Sequence, residues 1–159
     1  MQNIFLALAI LVLTTITGNG QCHRKINWKA AKAELLDEKG QVIDTKKGAI
    51  VMSTDKSTLS LTIKDAPSQS MEGTIKDISC NWQHAFKEGK TVYIADMHHA
   101  NSSDKSHGTF TIEARDGKIT ILMELEKLEG KKIRIPVEKY EEADNDLPVP
   151  RTIIDISTI

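Results

Sequence analysis

The sequence predicts an all-β fold, an antiparallel β-barrel or β-sandwich of about eight short strands. Two observations predict it. Apolar and polar residues alternate over several short segments, and Gly-containing turn signals recur roughly every 8 to 12 residues. Leu59, Leu61 and Ile63 alternate with Ser60, Thr62 and Lys64, the pattern of a half-buried strand. Phe110, Ile112 and Ala114 alternate with Thr111 and Glu113. Asp116-Gly117 follows as a tight turn whose two residues need positive φ. Ile119, Ile121 and Met123 then share one face, Glu129-Gly130 marks the next turn, and Ile133, Ile135 and Val137 alternate with Lys132 and Arg134. Residues 109–138 therefore read as a three-stranded antiparallel meander. Residues 49–52 form a shorter apolar run, and residues 74–79 and 91–97 are further strand candidates.

Residues 28–39 admit two readings. Asn27 can cap a helix that Gly40 ends. Alternatively, Ala31, Ala33 and Leu35 line one face of a strand that turns at residues 38–40 and returns through Val42. The strand is favoured, because the neighbouring segments are strands and the gap to the next one is short. Residues 141–150, acidic with Pro148 and Pro150, read as an exposed connector. Residues 151–159 are rich in β-branched side chains and are expected to dock as a final strand along a sheet edge, since such a tail left free invites aggregation.

This strand layout is similar in outline to that of a lipocalin. Lipocalins carry a Gly two residues before an early Trp; here Ile26 stands in that place before Trp28. The resemblance is one of layout, and the family's motif is not met.

The beginning of the chain speaks of export. Residues 4–17 form an almost unbroken apolar run, and no charged side chain precedes His23 and Arg24. A membrane span needs roughly 20 apolar residues; this shorter run fits the apolar region of a secretory signal. Gly18 and Gly20 supply the small residues that a signal peptidase requires, so residues 1–20 are expected to be removed and the mature chain to start at Gln21. Retention as an anchor and lipidation at Cys22 are the alternatives. Lipidation fits poorly, because Asn19 is not apolar and Gln21 is not small. The expected destination is secreted, periplasmic or extracellular, with no transmembrane span in the mature chain.

The mature chain divides into a β-rich domain over residues 21–140, the connector and the last strand. Its length suits one domain with a real core. The full sequence carries 21 basic and 22 acidic residues. That balance argues against a nucleic-acid partner, which favours a basic face. Basic residues 23–25 and acidic residues 138–146 read as solvated segments. The two cysteines, Cys22 and Cys80, are expected to bridge in an oxidising compartment. Neither has a second cysteine at metal-ligand spacing.

Chemistry-bearing residues are few. Asp96, His98, His99, Asp104 and His107 make the one dense cluster of potential metal ligands. Adjacent residues of a strand point to opposite faces, so His98 and His99 share an ion only if the strand ends there. Residues 101–106 look like a loop across which His99 and His107 can meet. A solvated surface loop is the favoured reading, and a metal site built from Asp96, His98, His99 and His107 is the alternative. Asn101-Ser102-Ser103 matches the N-glycosylation pattern.

No Gly-x-Ser-x-Gly elbow and no phosphate-binding glycine loop occurs. Cys80 with His84 is a weak thiol and base pair, and Glu124 with Glu126 is read as two carboxylates on one strand face. Trp28 and Trp82, each close to a cysteine, read first as core beside the bridge and second as aromatic walls of a ligand pocket. The expectation is an exported binding protein for an apolar ligand or a protein partner, with no cofactor. A metal-binding protein using the histidine loop is the second class, and a hydrolase the third.

Overall fold

The structure, a computed structural model, describes residues 22–99, 102 and 104–143. Nine strands follow one another: β1 (Ile26–Leu36), β2 (Val42–Thr54), β3 (Thr58–Ile63), β4 (Met71–His84), β5 (Glu88–His99), β6 (Lys105–Arg115), β7 (Lys118–Leu125), β8 (Lys132–Pro136) and β9 (Lys139–Glu142). Every pairing is antiparallel. β1 to β7 each pair with the next strand, and β8 pairs back onto β1. The sheet thus closes into an eight-stranded barrel rather than a sandwich, and β9 is one extra strand laid against β1.

The turns obey the chemistry read from the sequence. Asp116 and Gly117 have φ of 52° and 74°, and Glu129 and Gly130 have 48° and 83°. Both pairs occupy the left-handed region that such turns demand. Residues 109–138 form the expected meander of β6, β7 and β8, and residues 28–39 open as strand, not helix.

Other boundaries differ. β2, β4 and β5 run well beyond 49–52, 74–79 and 91–97, because hydrogen-bonded neighbours carry the polar stretches that alternation alone does not flag. β6 starts at Lys105, so the loop anticipated over 101–106 is shorter. The sheet also continues past 140. Glu141 and Glu142 lie in β9 opposite Asn27 and Ile26, so the anticipated connector does not begin at 141. Lys29 and Lys139 both donate to Glu141 and hold its carboxyl down at about 2, while Arg24 pairs with Glu142. The expected signal segment and the expected last strand, 151–159, lie outside the described residues.

A register shift in β1 organises the interior. Ile26, Trp28 and Ala30 are buried inside the barrel. An irregularity between Ala30 and Lys32, opposite Ile50 and Lys47, then changes the parity, so that Ala33 and Leu35 face inward farther along. The middle of the barrel is packed solid by Tyr93, Phe110, Met52, Met97, Ile112, Ile121 and Met123.

One end is closed. There Trp28, Trp82, Phe86 and Tyr140 form an aromatic cluster with ring centroids 5.0–5.7 Å apart. Phe86 reaches it from the β4–β5 turn with φ of 52°, a strained value for a residue with a Cβ. The Trp28 indole donates to the buried Thr54 hydroxyl at 3.1 Å, and the Trp82 indole donates to Thr91 at 2.7 Å. Cys22 and Cys80 are bridged near this end, with Cα atoms 6.0 Å apart. Among the described residues no helix is long and apolar enough to cross a membrane.

The β2–β3 turn, also at the closed end, is knotted by Asp55. Its Oδ1 accepts the Ser57 and Thr58 amides at 2.7 Å each, and its Oδ2 accepts the Thr58 hydroxyl at 2.7 Å. Burial pushes the carboxyl up, but the bonds from Thr58 and Ser57 outweigh it and hold it below its usual value of 3.8. Asp55→Ala is expected to cost about 1–2 kcal/mol. A depressed carboxyl stabilises fully above its unfolded value and stops contributing as pH falls through its folded one. Urea titrations of parent and variant are therefore expected to separate at neutral pH and to converge in acid, below the usual value.

Candidate functional site

The other end of the barrel is open. Between β1, β2, β3 and β8 lies a cavity of about 420 Å³. Ala33 and Leu35 line it from β1, Ile50 from β2, Leu61 and Ile63 from β3, and Ile133 and Ile135 from β8. Ala66, on the β3–β4 connection beside the 3-10 turn Pro67–Gln69, completes the apolar wall. Among the described residues no aromatic ring lines it. The side chains here are aliphatic and short, whereas the closed end is filled by four rings; that difference in size leaves one end empty and the other plugged. The volume falls within the range usual for small-molecule sites, roughly 300–1,000 Å³.

Charged groups stand at the mouth. Asp44 and Lys46 of β2 lie opposite Leu35 and Ala33, so they share the cavity's face. Lys47, Asp65 and Gln69 complete the rim. Among the described residues neither Lys46 nor Lys47 has a carboxylate within 4.0 Å. Asp44 accepts the Thr45 amide at 2.8 Å.

The tryptophans singled out from the sequence do not line this cavity. Trp28 is 2% exposed in the plug at the opposite end, and the half-buried Trp82 packs edge-on against Phe86. Trp28 belongs to the core, Trp82 packs against it, and neither lines this cavity. The cavity's lining carries no sequence signal, because it comes from four strands and a β-bulge decides which β1 residues join it.

The histidine-rich segment does not converge either. His99 lies opposite the buried Met71, on the inner side of β5, whereas Asp96, His98 and His107 belong to the outer face. His99 and His107 thus fail to meet across the hairpin. On the outer face His107 Nδ1 lies 3.0 Å from Asp96, which Lys76 approaches at 3.4 Å, and His98 Nε2 lies 3.2 Å from Glu72. The hydrogen bond from His107, helped by Lys76, holds the Asp96 carboxyl below its usual value. Among the described residues no three His, Cys, Asp or Glu side chains are grouped to hold a metal ion. Asn101 lies outside the described residues.

The catalytic alternatives fare no better in geometry. Cys80 is oxidised in the bridge and offers no thiolate to His84. Glu124 pairs with Lys132 at 2.6 Å, and Glu126 opens the 3-10 turn Glu126–Leu128 beyond the end of β7, so the two carboxylates do not share a strand.

Comparison with known proteins adds no relative: no family model, curated protein or solved structure matches the chain.

Proposed function

We propose that this is an exported binding protein that holds a small apolar ligand in the open end of its barrel. One observation carries the reading: a cavity of about 420 Å³, walled by aliphatic side chains and ringed by charged ones, in a barrel packed solid elsewhere. Such a wall gains from covering hydrocarbon and gives a polar substrate nothing to bond. The apolar run at residues 4–17 supports export, and a disulfide suits an oxidising compartment.

The test is to fill the cavity. Ile63 and Ile133 are half-buried in its wall, so enlarging either intrudes into empty space rather than into packed core. Calorimetric titration of the purified protein with decan-1-ol is expected to show saturable binding with a negative heat-capacity change. Ile63→Trp and Ile133→Trp are each expected to weaken it about tenfold or more, at unchanged circular dichroism, since a tenfold loss is only about 1.4 kcal/mol. Saturable binding that survives both substitutions would place the ligand elsewhere.

A further inference from the structure

Resting on the binding reading above, we infer that the ligand is a medium-length aliphatic molecule with one anionic head, seated against Lys46 at the cavity mouth.

The wall sets the buried part. Leu35, Ile50, Leu61, Ile63, Ile133 and Ile135 present neither a ring to stack on nor a buried donor or acceptor. Among the described residues one buried side-chain oxygen lacks a partner, Ser106 Oγ, and Ser106 is not in the wall. A polar group carried into the cavity would therefore lose its hydration without replacement. The volume sets the length. At about 30 Å³ per non-hydrogen atom, the share of a water molecule in the liquid, the space holds roughly ten to fifteen such atoms. A chain the size of decanoate fits; one the size of hexadecanoate must leave several carbons outside.

The mouth sets the head. Lys46 lies opposite Ala33, and Asp44 lies one inward-facing position nearer the hairpin tip, opposite Leu35. The ammonium thus meets the outer end of a buried chain before the Asp44 carboxylate does. Neither rim carboxylate is ion-paired with it within 4.0 Å. Asp44 is occupied by the Thr45 amide, and an Asp65 oxygen lies over Gly48, 3.7 Å from where a Cβ would stand. Lys47, whose cross-strand neighbour Lys32 is ion-paired with Glu34 at 2.7 Å, stands beside the mouth and adds positive potential there. Gln69 supplies a neutral amide at the same rim.

The experiment compares heads on one chain length. The purified protein is titrated by calorimetry with decanoate, decan-1-ol, decyltrimethylammonium and hexadecanoate at about pH 8, where a free carboxylic acid is ionised. Decanoate is expected to bind about three- to tenfold more tightly than decan-1-ol, in keeping with a single partly exposed ion pair. Decyltrimethylammonium is expected to be the weakest, and hexadecanoate to gain nothing over decanoate. Lys46→Glu, at an exposed position, is expected to abolish the preference for decanoate, with a much smaller effect on decan-1-ol. Binding of decan-1-ol with no advantage for decanoate, or a Lys46→Glu effect equal on both, overturns the anionic head while the cavity reading stands. A large gain for hexadecanoate overturns the length. Failure of every decyl compound to bind removes the cavity reading and this inference with it.

Discussion

Trp28→Ala is expected to destabilise the barrel by about 3–5 kcal/mol, the range found when a large buried aromatic is truncated. Trp28 is 2% exposed. Its ring meets Phe86 edge-on at 5.5 Å and Tyr140 at 5.7 Å, so its loss unsupports two further rings of the plug. Its indole N–H also satisfies the hydroxyl of Thr54, itself 1% exposed. The cavity left behind cannot collapse easily, because β1 is held on one side by β2 and on the other by β9. Trp82→Ala makes the natural control. Trp82 is only half-buried and is expected to cost distinctly less. Urea denaturation of both variants measures the difference, and a smaller loss for Trp28→Ala than for Trp82→Ala would mean that the closed end is not built as described.

Replacing Cys22 and Cys80 together by alanine is expected to cost about 4 kcal/mol, because the bridge spans 58 residues and removes that much loop entropy from the unfolded chain. The folded barrel does not depend on the bridge for closure: β1 is paired with β2, β8 and β9 without it. Beside the bridge, Ala143 donates its amide to the Lys25 carbonyl and Arg24 pairs with Glu142. The double variant should therefore keep its circular dichroism in the absence of denaturant. Its unfolding midpoint should fall, and its denaturant slope should rise as the unfolded chain, no longer cross-linked, exposes more surface. Equal midpoints for the bridged and unbridged forms would contradict the account.

The parts of the fold legible in the sequence are those governed by local chemistry. Asp116-Gly117 announces its turn because few other pairs accept two successive positive φ values, and Gly130 marks the next one. The alternation of Phe110, Ile112 and Ala114 announces β6 because one of its faces is buried. The polar parts of β2 and β4 carry no such signal. Residues 42–47 are exposed, and only their pairing with β1 makes them strand. Barrel closure was not separable from a sandwich for the same reason: it depends on β8 meeting β1, a contact across about a hundred residues of chain, such as Glu34 with Arg134.

The candidate site was less legible still. His98, His99 and His107 are close together in sequence, yet the strand puts His99 on the inner face of β5 and His98 and His107 on the outer one. The tryptophans stand close to the cysteines in sequence, which says nothing of a cavity, and their size fits them to fill an end rather than to leave one open. The cavity is made by smaller side chains, and Ala33 and Leu35 belong to it only because the irregularity after Ala30 reverses their parity.

The most direct test of the central claim, that the aliphatic end of the barrel is the binding site and the aromatic end is not, is a methyl and indole NMR titration with decan-1-ol. Saturable shifts are expected for the methyl groups of Ile50, Leu61, Ile63, Ile133 and Ile135, with the indole N–H signals of Trp28 and Trp82 unmoved. Shifts centred on the two indoles, with the isoleucine methyls silent, would contradict it.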